Sequence, residues 1–275
     1  GKRGWAARVY RARGVCGALF YDNLIARHGD YWEEGQYRHV LVAPIGNDIV
    51  SRGADIMPGE PWDAPMAPYF DVSEIAWDNA GTQIAYTCKK MTGTQYALST
   101  DSDIYVYDIT TGETANINKA NMPSDPRLRI APIFPGYDRY PVFSPDDSKI
   151  AFLSMPRAGN EADKDRLFVL DSQDGSFTDL TERFDTHASN ISWLDNETIM
   201  FIAPLQSTHQ LCTVKLTPGA EVAAVTSGDH DISSFATSGE KCVVALTTLS
   251  SGSELYTYDG VALKQLTFVN DHVYN

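Results

Sequence analysis

PVFSPDDSKIAFLSM, residues 141–155, reads as two short apolar strands joined by a tight polar turn. The pattern recurs in VSEIAWDNAGTQIAYTCKK (72–90), HASNISWLDNETIMFIAPL (187–205) and DISSFATSGEKCVVALTTLS (231–250). Each copy carries an aromatic (Trp77, Phe143, Trp193, Phe235), a turn, and an apolar strand opening near Ile84, Ile150, Ile199 or Val243. A second hairpin follows each: SDIYVYDITTGETANI (102–117), DRLFVLDSQDGSFTDL (165–180), HQLCTVKLTPGAEVAAV (209–225) and SELYTYDGVALKQL (253–266). Tyr105 and Tyr107, and Phe168 and Leu170, alternate at period two, as in strands with one buried face. Thr-Gly and Asp-Gly pairs supply the turns.

The unit therefore has four antiparallel strands. Leu167, Leu211 and Leu255 stand 44 residues apart, whereas an insertion at about 119–137 stretches the interval from Ile104 to Leu167 to 63. A four-stranded unit of this length predicts an all-β fold, a β-propeller of four full blades plus a partial first blade. The expected division is 1–60 as the partial blade with an insertion, then blades at 72–118, 138–181, 187–228 and 231–270. One aromatic per blade at the same place predicts packing between neighbouring sheets for Trp77 and Trp193. Because an open sheet edge exposes unpaired backbone groups, the arc either closes as a small ring or pairs with a second copy as a homodimer.

The net charge of −14, from 22 basic and 36 acidic residues, repels phosphate backbones and anionic lipid, so neither nucleic acid nor membrane is an expected partner. No apolar run approaches the ~18 residues of a membrane span. Five bases crowd the first 13 positions, which read as a mobile or interface segment. Cys16, Cys88, Cys212 and Cys242 lack metal spacing, and the last three sit in strand-like runs. They are expected to be free thiols, with one disulfide as the alternative. Asp229, His230 and Asp231 lack a third convergent ligand, so no metal and no cofactor is expected. Residues 160–166 (NEADKDR) predict an ion and hydrogen-bond network at the rim, and GEPWDAPMAPYF (59–70) an extended connector with Trp62 and Phe70 as plugs.

RHGDYWEE (27–34), GEPWDAPM (59–66), the string at 75–108, GYDRYPVFSPDDSKIAFLSM (136–155), NEADKDRLFVLD (160–171) and QLTFVNDH (265–272) follow in order along nearly the whole chain. On these strings the sequence resembles the propeller of the prolyl oligopeptidase family of serine peptidases, most closely its bacterial dipeptidyl peptidase V branch. The resemblance implies a propeller that caps an α/β-hydrolase domain carrying a Ser-Asp-His triad and a GxSxG elbow. No GxSxG occurs in these residues, so no catalytic residue is assigned and the chain is expected to be a propeller fragment, inactive alone. The implied function is gating and substrate selection for an enzyme that releases N-terminal dipeptides from oligopeptides, in a periplasmic or secreted setting. The alternative is a non-enzymatic TolB-like propeller that binds a protein partner.

Release of dipeptides requires an anchor for the substrate's cationic amine, about 7 Å from the scissile carbonyl at roughly 3.5 Å per residue. Asp30, Glu33 and Glu34 are three acids within five positions, and Tyr31 and Trp32 would line an apolar subsite. Family members tend to read RHWDEW here, so Gly29 replaces a tryptophan and Tyr31 an acid. The competing reading of this stretch is a solvated acidic loop.

Overall fold

The computed structural model describes residues 27–28, 31–32, 36–45, 53–118, 134–217, 219–239 and 241–274. Two short antiparallel pairs come first: β1 (Arg27–His28) with β2 (Tyr31–Trp32), and β3 (Leu41–Val42) with β4 (Ala54–Asp55). Four strand quartets follow. The first runs β5 (Ile75–Trp77), β6 (Gln83–Cys88), β7 (Asp103–Asp108) and β8 (Thr114–Asn116), hydrogen-bonded in that order. The second repeats it with β9 (Asp138–Phe143), β10 (Lys149–Ser154), β11 (Arg166–Asp171) and β12 (Phe177–Asp179). The third is β13 (Ser189–Trp193), β14 (Thr198–Leu205), β15 (Thr208–Lys215) and β16 (Ala223–Ala224). The fourth is β17 (Asp231–Ser238), β18 (Lys241–Thr248), β19 (Ser251–Tyr258) and β20 (Leu263–Gln265). One parallel bridge, His209 to Asp231, joins the last two quartets into a single eight-stranded sheet. Helix is confined to a 3₁₀ turn at Val72–Glu74, α1 (Thr94–Leu98) and α2 (Asp271–Tyr274) among the described residues.

Apolar side chains fill the seams between successive quartets. Ala85, Ile104, Val106 and Ile117 of the first meet Phe143, Ile150, Phe152 and Leu170 of the second. Leu153, Leu167 and Val169 meet Trp193, Ile199, Phe201 and Val214 of the third. Met200, Ile202 and Leu211 meet Ile232, Val244 and Leu246 of the fourth. Full burial of each such side chain contributes roughly 1.5–3 kcal/mol, so the seams dominate the stability of the stack. Phe134, from the end of the long insertion, adds to the first seam by packing edge-on against Phe152, Phe168 and Phe177 at ring-centre distances of 4.9–5.5 Å.

The repeated aromatic behaves as expected at Trp193, which is 8% exposed and donates its indole N–H to the Val142 carbonyl at 3.1 Å across the seam. Trp77 departs from expectation: it is 52% exposed. At this register the aromatic faces the preceding quartet; among the described residues, what precedes the first quartet and packs on it is the β3–β4 pair and the connector, and these cover Ile84, Tyr86 and Ile75 instead. The connector at 59–70 also differs from the extended strap predicted, since it turns at 67–69 and buries Ala64 and Met66. Trp62 packs on the first quartet's core, and the Arg38 guanidinium stacks 3.4 Å from the Phe70 ring centre.

The turns account for much of the acidic composition. Asp78 accepts from the backbone N–H of Thr82 (2.8 Å) and Gln83 (2.9 Å), and Asp146 from Ser148 N–H (3.1 Å) and the Ser144 hydroxyl (2.7 Å). Asp108, Asp174 and Asp259 cap second-hairpin turns in the same way. An aspartate that accepts two residues onward fixes a tight turn at little entropic cost. Asp147 has a different use. Held at φ 58°, it reaches the preceding quartet's turn and accepts from Asn79 N–H (2.8 Å), Asn79 Nδ2 (2.7 Å) and Ala80 N–H (3.0 Å).

Candidate functional site

The first strands of the second, third and fourth quartets each carry a bulge, where the partner register shifts between Ala151 and Leu153, Ser189 and Ser192, and Ile232 and Ser234. Tyr140 (φ 58°) and Asn190 (φ 49°) occupy left-handed backbone at the first two. Bulges bend and over-twist a strand, which re-aims its side chains. At the same end of the quartets lie the loops joining second to third strands, and the charged side chains gather there.

Between the first and second quartets, Lys89 is 3% exposed. Its ammonium donates to the Tyr96 carbonyl at 2.7 Å and to the Ser99 carbonyl, and lies 4.2 Å from the Tyr96 ring centre, so it fastens the loop bearing α1. Burial pulls its pKa down to about 8, opposed by Glu161 and Asp101. The Tyr96 hydroxyl ties the same loop to the connector through the Ala67 carbonyl at 2.6 Å. Tyr137 donates to Glu161 Oε1 at 3.1 Å. The stretch at 160–166 forms the rim network its composition suggests. Arg157 grips Asp163 with two bonds of 2.9 and 2.7 Å, and Lys164 Nζ donates to the carbonyls of Thr181, Glu182 and Phe184. Arg166 pairs with Asp179.

A second group sits where β9 begins. Arg139 lies 3.8 Å from Asp165 and within 5.2 and 5.4 Å of the Tyr137 and Tyr140 ring centres. Burial raises the Asp165 carboxyl, while Arg139 and His187 pull it back. The Asp165 N–H donates to His187 Nδ1 at 3.2 Å, which leaves Nε2 as the protonated ring nitrogen when His187 is neutral. Glu74, at the foot of β5, is fully buried; its Oε2 accepts from Met66 N–H at 2.9 Å. Among the described histidines, His39 pairs with Asp55 and His209 with Asp231, each at 2.7 Å. None of His39, His187, His209, His230 and His272 bonds a hydroxyl or thiol among the described residues.

The rim network at 160–166 is legible from its charge density, but Glu74, Lys89 and Arg139 read as ordinary strand-end residues; the burial of Glu74 and Lys89 and the half-buried setting of Arg139 come only from the fold. Of the amine-anchor candidates, Tyr31 and Trp32 form β2, with backbone pairing of His28 to Tyr31 and Arg27 to Trp32. Asp30, Glu33 and Glu34 lie outside the described residues. Cys88, Cys212 and Cys242 are buried free thiols, and burial pushes Cys88 up to about 12 and Cys212 up to about 11. Cys16 lies outside the described residues. His230 and Asp231 are not drawn into any group of three metal-binding side chains among the described residues. No described helix is long and apolar enough to cross a membrane.

No family model matches the chain. Among curated proteins it is 35% identical over 235 residues to dipeptidyl-peptidase 5 of Porphyromonas gingivalis, covering 85% of this chain and 32% of that protein. It is 36% identical over 246 residues to dipeptidyl-peptidase 5 of Porphyromonas endodontalis, covering 89% of this chain and 33% of that one. The resemblance to the dipeptidyl peptidase V branch thus extends over most of the chain, which spans about a third of the length of these relatives. Among solved structures, the Pyrococcus horikoshii acylaminoacyl peptidase superposes with a TM-score of 0.51 at 19% identity, over 73% of this chain and 28% of that one. A TolB from Agrobacterium tumefaciens superposes with a TM-score of 0.51 at 16% identity, over 70% of this chain and 64% of that one. Those two likenesses concern the fold alone.

Proposed function

We propose that this chain is the substrate-selecting propeller of a serine dipeptidyl peptidase whose acyl-transfer machinery lies outside these 275 residues. The observation that carries the reading is the 35–36% identity to two dipeptidyl-peptidase 5 proteins across 85–89% of the chain, matched to only 32–33% of theirs. The propeller walls off the reactive serine from folded proteins and admits oligopeptides, and its setting is periplasmic or secreted. In this reading Asp30, Glu33 or Glu34 holds the cationic substrate amine, and Tyr31 and Trp32 shape the subsite beside it, because a carboxylate next to aromatic faces suits an ammonium group.

The test uses the whole polypeptide that contains these residues. Dipeptidyl substrates should be cleaved by it and not by the 275-residue chain alone. Asp30→Ala, Glu33→Ala and Glu34→Ala are then compared for kcat/KM. Loss of about 10-fold or more in one of them supports the anchor, a charge-assisted bond being worth roughly 1.5–3 kcal/mol; unchanged values in all three dismiss the loop. If the chain alone, cleanly purified, cleaves such substrates, the division of labour is wrong.

A further inference from the structure

Glu74 and Arg139 carry an inference independent of the peptidase reading. Glu74 is fully buried at the seam between the first two quartets, where the 3₁₀ turn packs on β9. Only one of its carboxyl oxygens is bonded, Oε2 to the Met66 N–H, while Oε1 is buried with no hydrogen-bond partner. Arg139, on the β9 strand that the 3₁₀ turn packs against and near enough for its charge to act on Glu74, is in a matching condition: its Nε is buried without a hydrogen-bond acceptor, and its nearest carboxylate, Asp165, stands at 3.8 Å. A buried carboxyl with an idle oxygen beside a guanidinium with an idle N–H is a pair waiting on one proton.

We propose that Glu74 and Arg139 form a proton-operated latch that ties the 59–70 connector to the seam between the first and second quartets. With Glu74 neutral, Arg139 is directed to Asp165, and the Met66 N–H donates to an uncharged oxygen. With Glu74 ionised, Arg139 is drawn across the seam, and the Met66 bond becomes charge-assisted and shorter. The charged and titratable groups around the pair set the balance. Asp71, on the segment leading into the 3₁₀ turn, opposes ionisation, and Arg139 from β9 favours it. Tyr140, also on β9, stays protonated, burial and Glu74 both raising it against Arg139. Asp165, just before β11, with His187 beside it, competes for Arg139. Burial, the largest influence, places the Glu74 transition at about 7, inside the physiological range.

The experiment follows the Met66 amide proton by ¹⁵N–¹H correlation NMR of the 275-residue chain between pH 5.5 and 8.5. The expected result is a downfield shift with rising pH and a midpoint near 7, absent in Glu74→Gln. In Arg139→Met the midpoint moves up by about 1 pH unit or more, as removal of an adjacent opposite charge requires, and in Arg139→Lys it stays within about half a unit of wild type. A Met66 amide that does not titrate in wild type overturns the latch. So does a midpoint unmoved in a folded Arg139→Met. If Arg139→Met does not fold, the Arg139→Lys and Glu74→Gln titrations decide alone: persistence of the shift in Glu74→Gln refutes the proposal.

Discussion

Removing the Asp147 carboxylate tests the idea that the turns, and not only the apolar seams, hold neighbouring quartets in register. Asp147 accepts three hydrogen bonds from Asn79 and Ala80, 68 and 67 positions earlier in sequence, so each closes a long loop. Hydrogen bonds to a charged group contribute roughly 1.5–3 kcal/mol each when desolvated, but this turn is exposed, and the total is expected at about 1–3 kcal/mol. The backbone complicates the simplest substitution. At φ 58° an alanine adds roughly 1 kcal/mol of strain that aspartate and asparagine partly escape. Asp147→Gly removes the carboxylate without that strain, so it isolates the clasp, although its greater unfolded-state freedom costs a further several tenths of a kcal/mol. Asp147→Asn keeps one acceptor oxygen and should fall between. Urea unfolding followed by tryptophan fluorescence gives each free-energy difference, and a double-mutant cycle with Asn79→Ala gives the coupling, expected at about 0.5–2 kcal/mol. A coupling of zero, with Asp147→Gly as stable as the parent, would refute the clasp.

Trp193→Phe removes the bond to the Val142 carbonyl and leaves a void in the second seam, so a loss of about 1–3 kcal/mol is expected in the same unfolding assay, whereas Trp77→Phe at its exposed site should change stability by no more than about 0.5 kcal/mol. Phe134→Ala opens the three-ring contact at the first seam and should cost about 3–5 kcal/mol, read by thermal unfolding. Lys89 gives a pH signature. Its folded pKa of about 8 lies below the usual lysine value of 10.5, so the unfolded chain binds more protons between those limits and stability rises with pH across that window. The rise should shrink in Lys89→Met, and an identical slope in the two proteins between pH 8 and 10.5 would contradict the assignment. Cys88 and Cys212, buried and with thiols pushed up to about 12 and about 11, should resist alkylation at pH 8 until the chain is unfolded, as mass spectrometry of the labelled peptides can show.

Glu74 also bears on stability as a function of pH. Its folded pKa of about 7 lies above the ordinary glutamate value of 4.5, so the folded state holds a proton that the unfolded state releases. That contribution is present below 4.5 and is lost as pH rises through 7. Glu74→Gln should therefore flatten the decline between those limits and match or exceed the parent's stability at pH 8.

The order of strands was fixed by local chemistry, and so was legible. Period-two alternation in IYVYD and LFVLD, turn-forming Asp and Gly at regular offsets, and apolar runs too short for helices leave a quartet of antiparallel strands as the arrangement that buries one face and satisfies the backbone. The family likeness was legible too, because long ordered strings carry it. What each repeated residue does was decided elsewhere. Trp77 and Trp193 occupy the same place in the repeat, yet one is exposed and the other buried, since the fate of a seam residue depends on which quartet precedes it. Glu74 and Lys89 acquire their unusual chemistry from burial, and that burial comes from packing across the first seam: β9 against the 3₁₀ turn that carries Glu74, and the Tyr137 ring 5.4 Å from the Lys89 ammonium. A chain states its own periodicity, but desolvation and charge pairing are properties of the neighbours that folding brings, and those only the tertiary structure assigned.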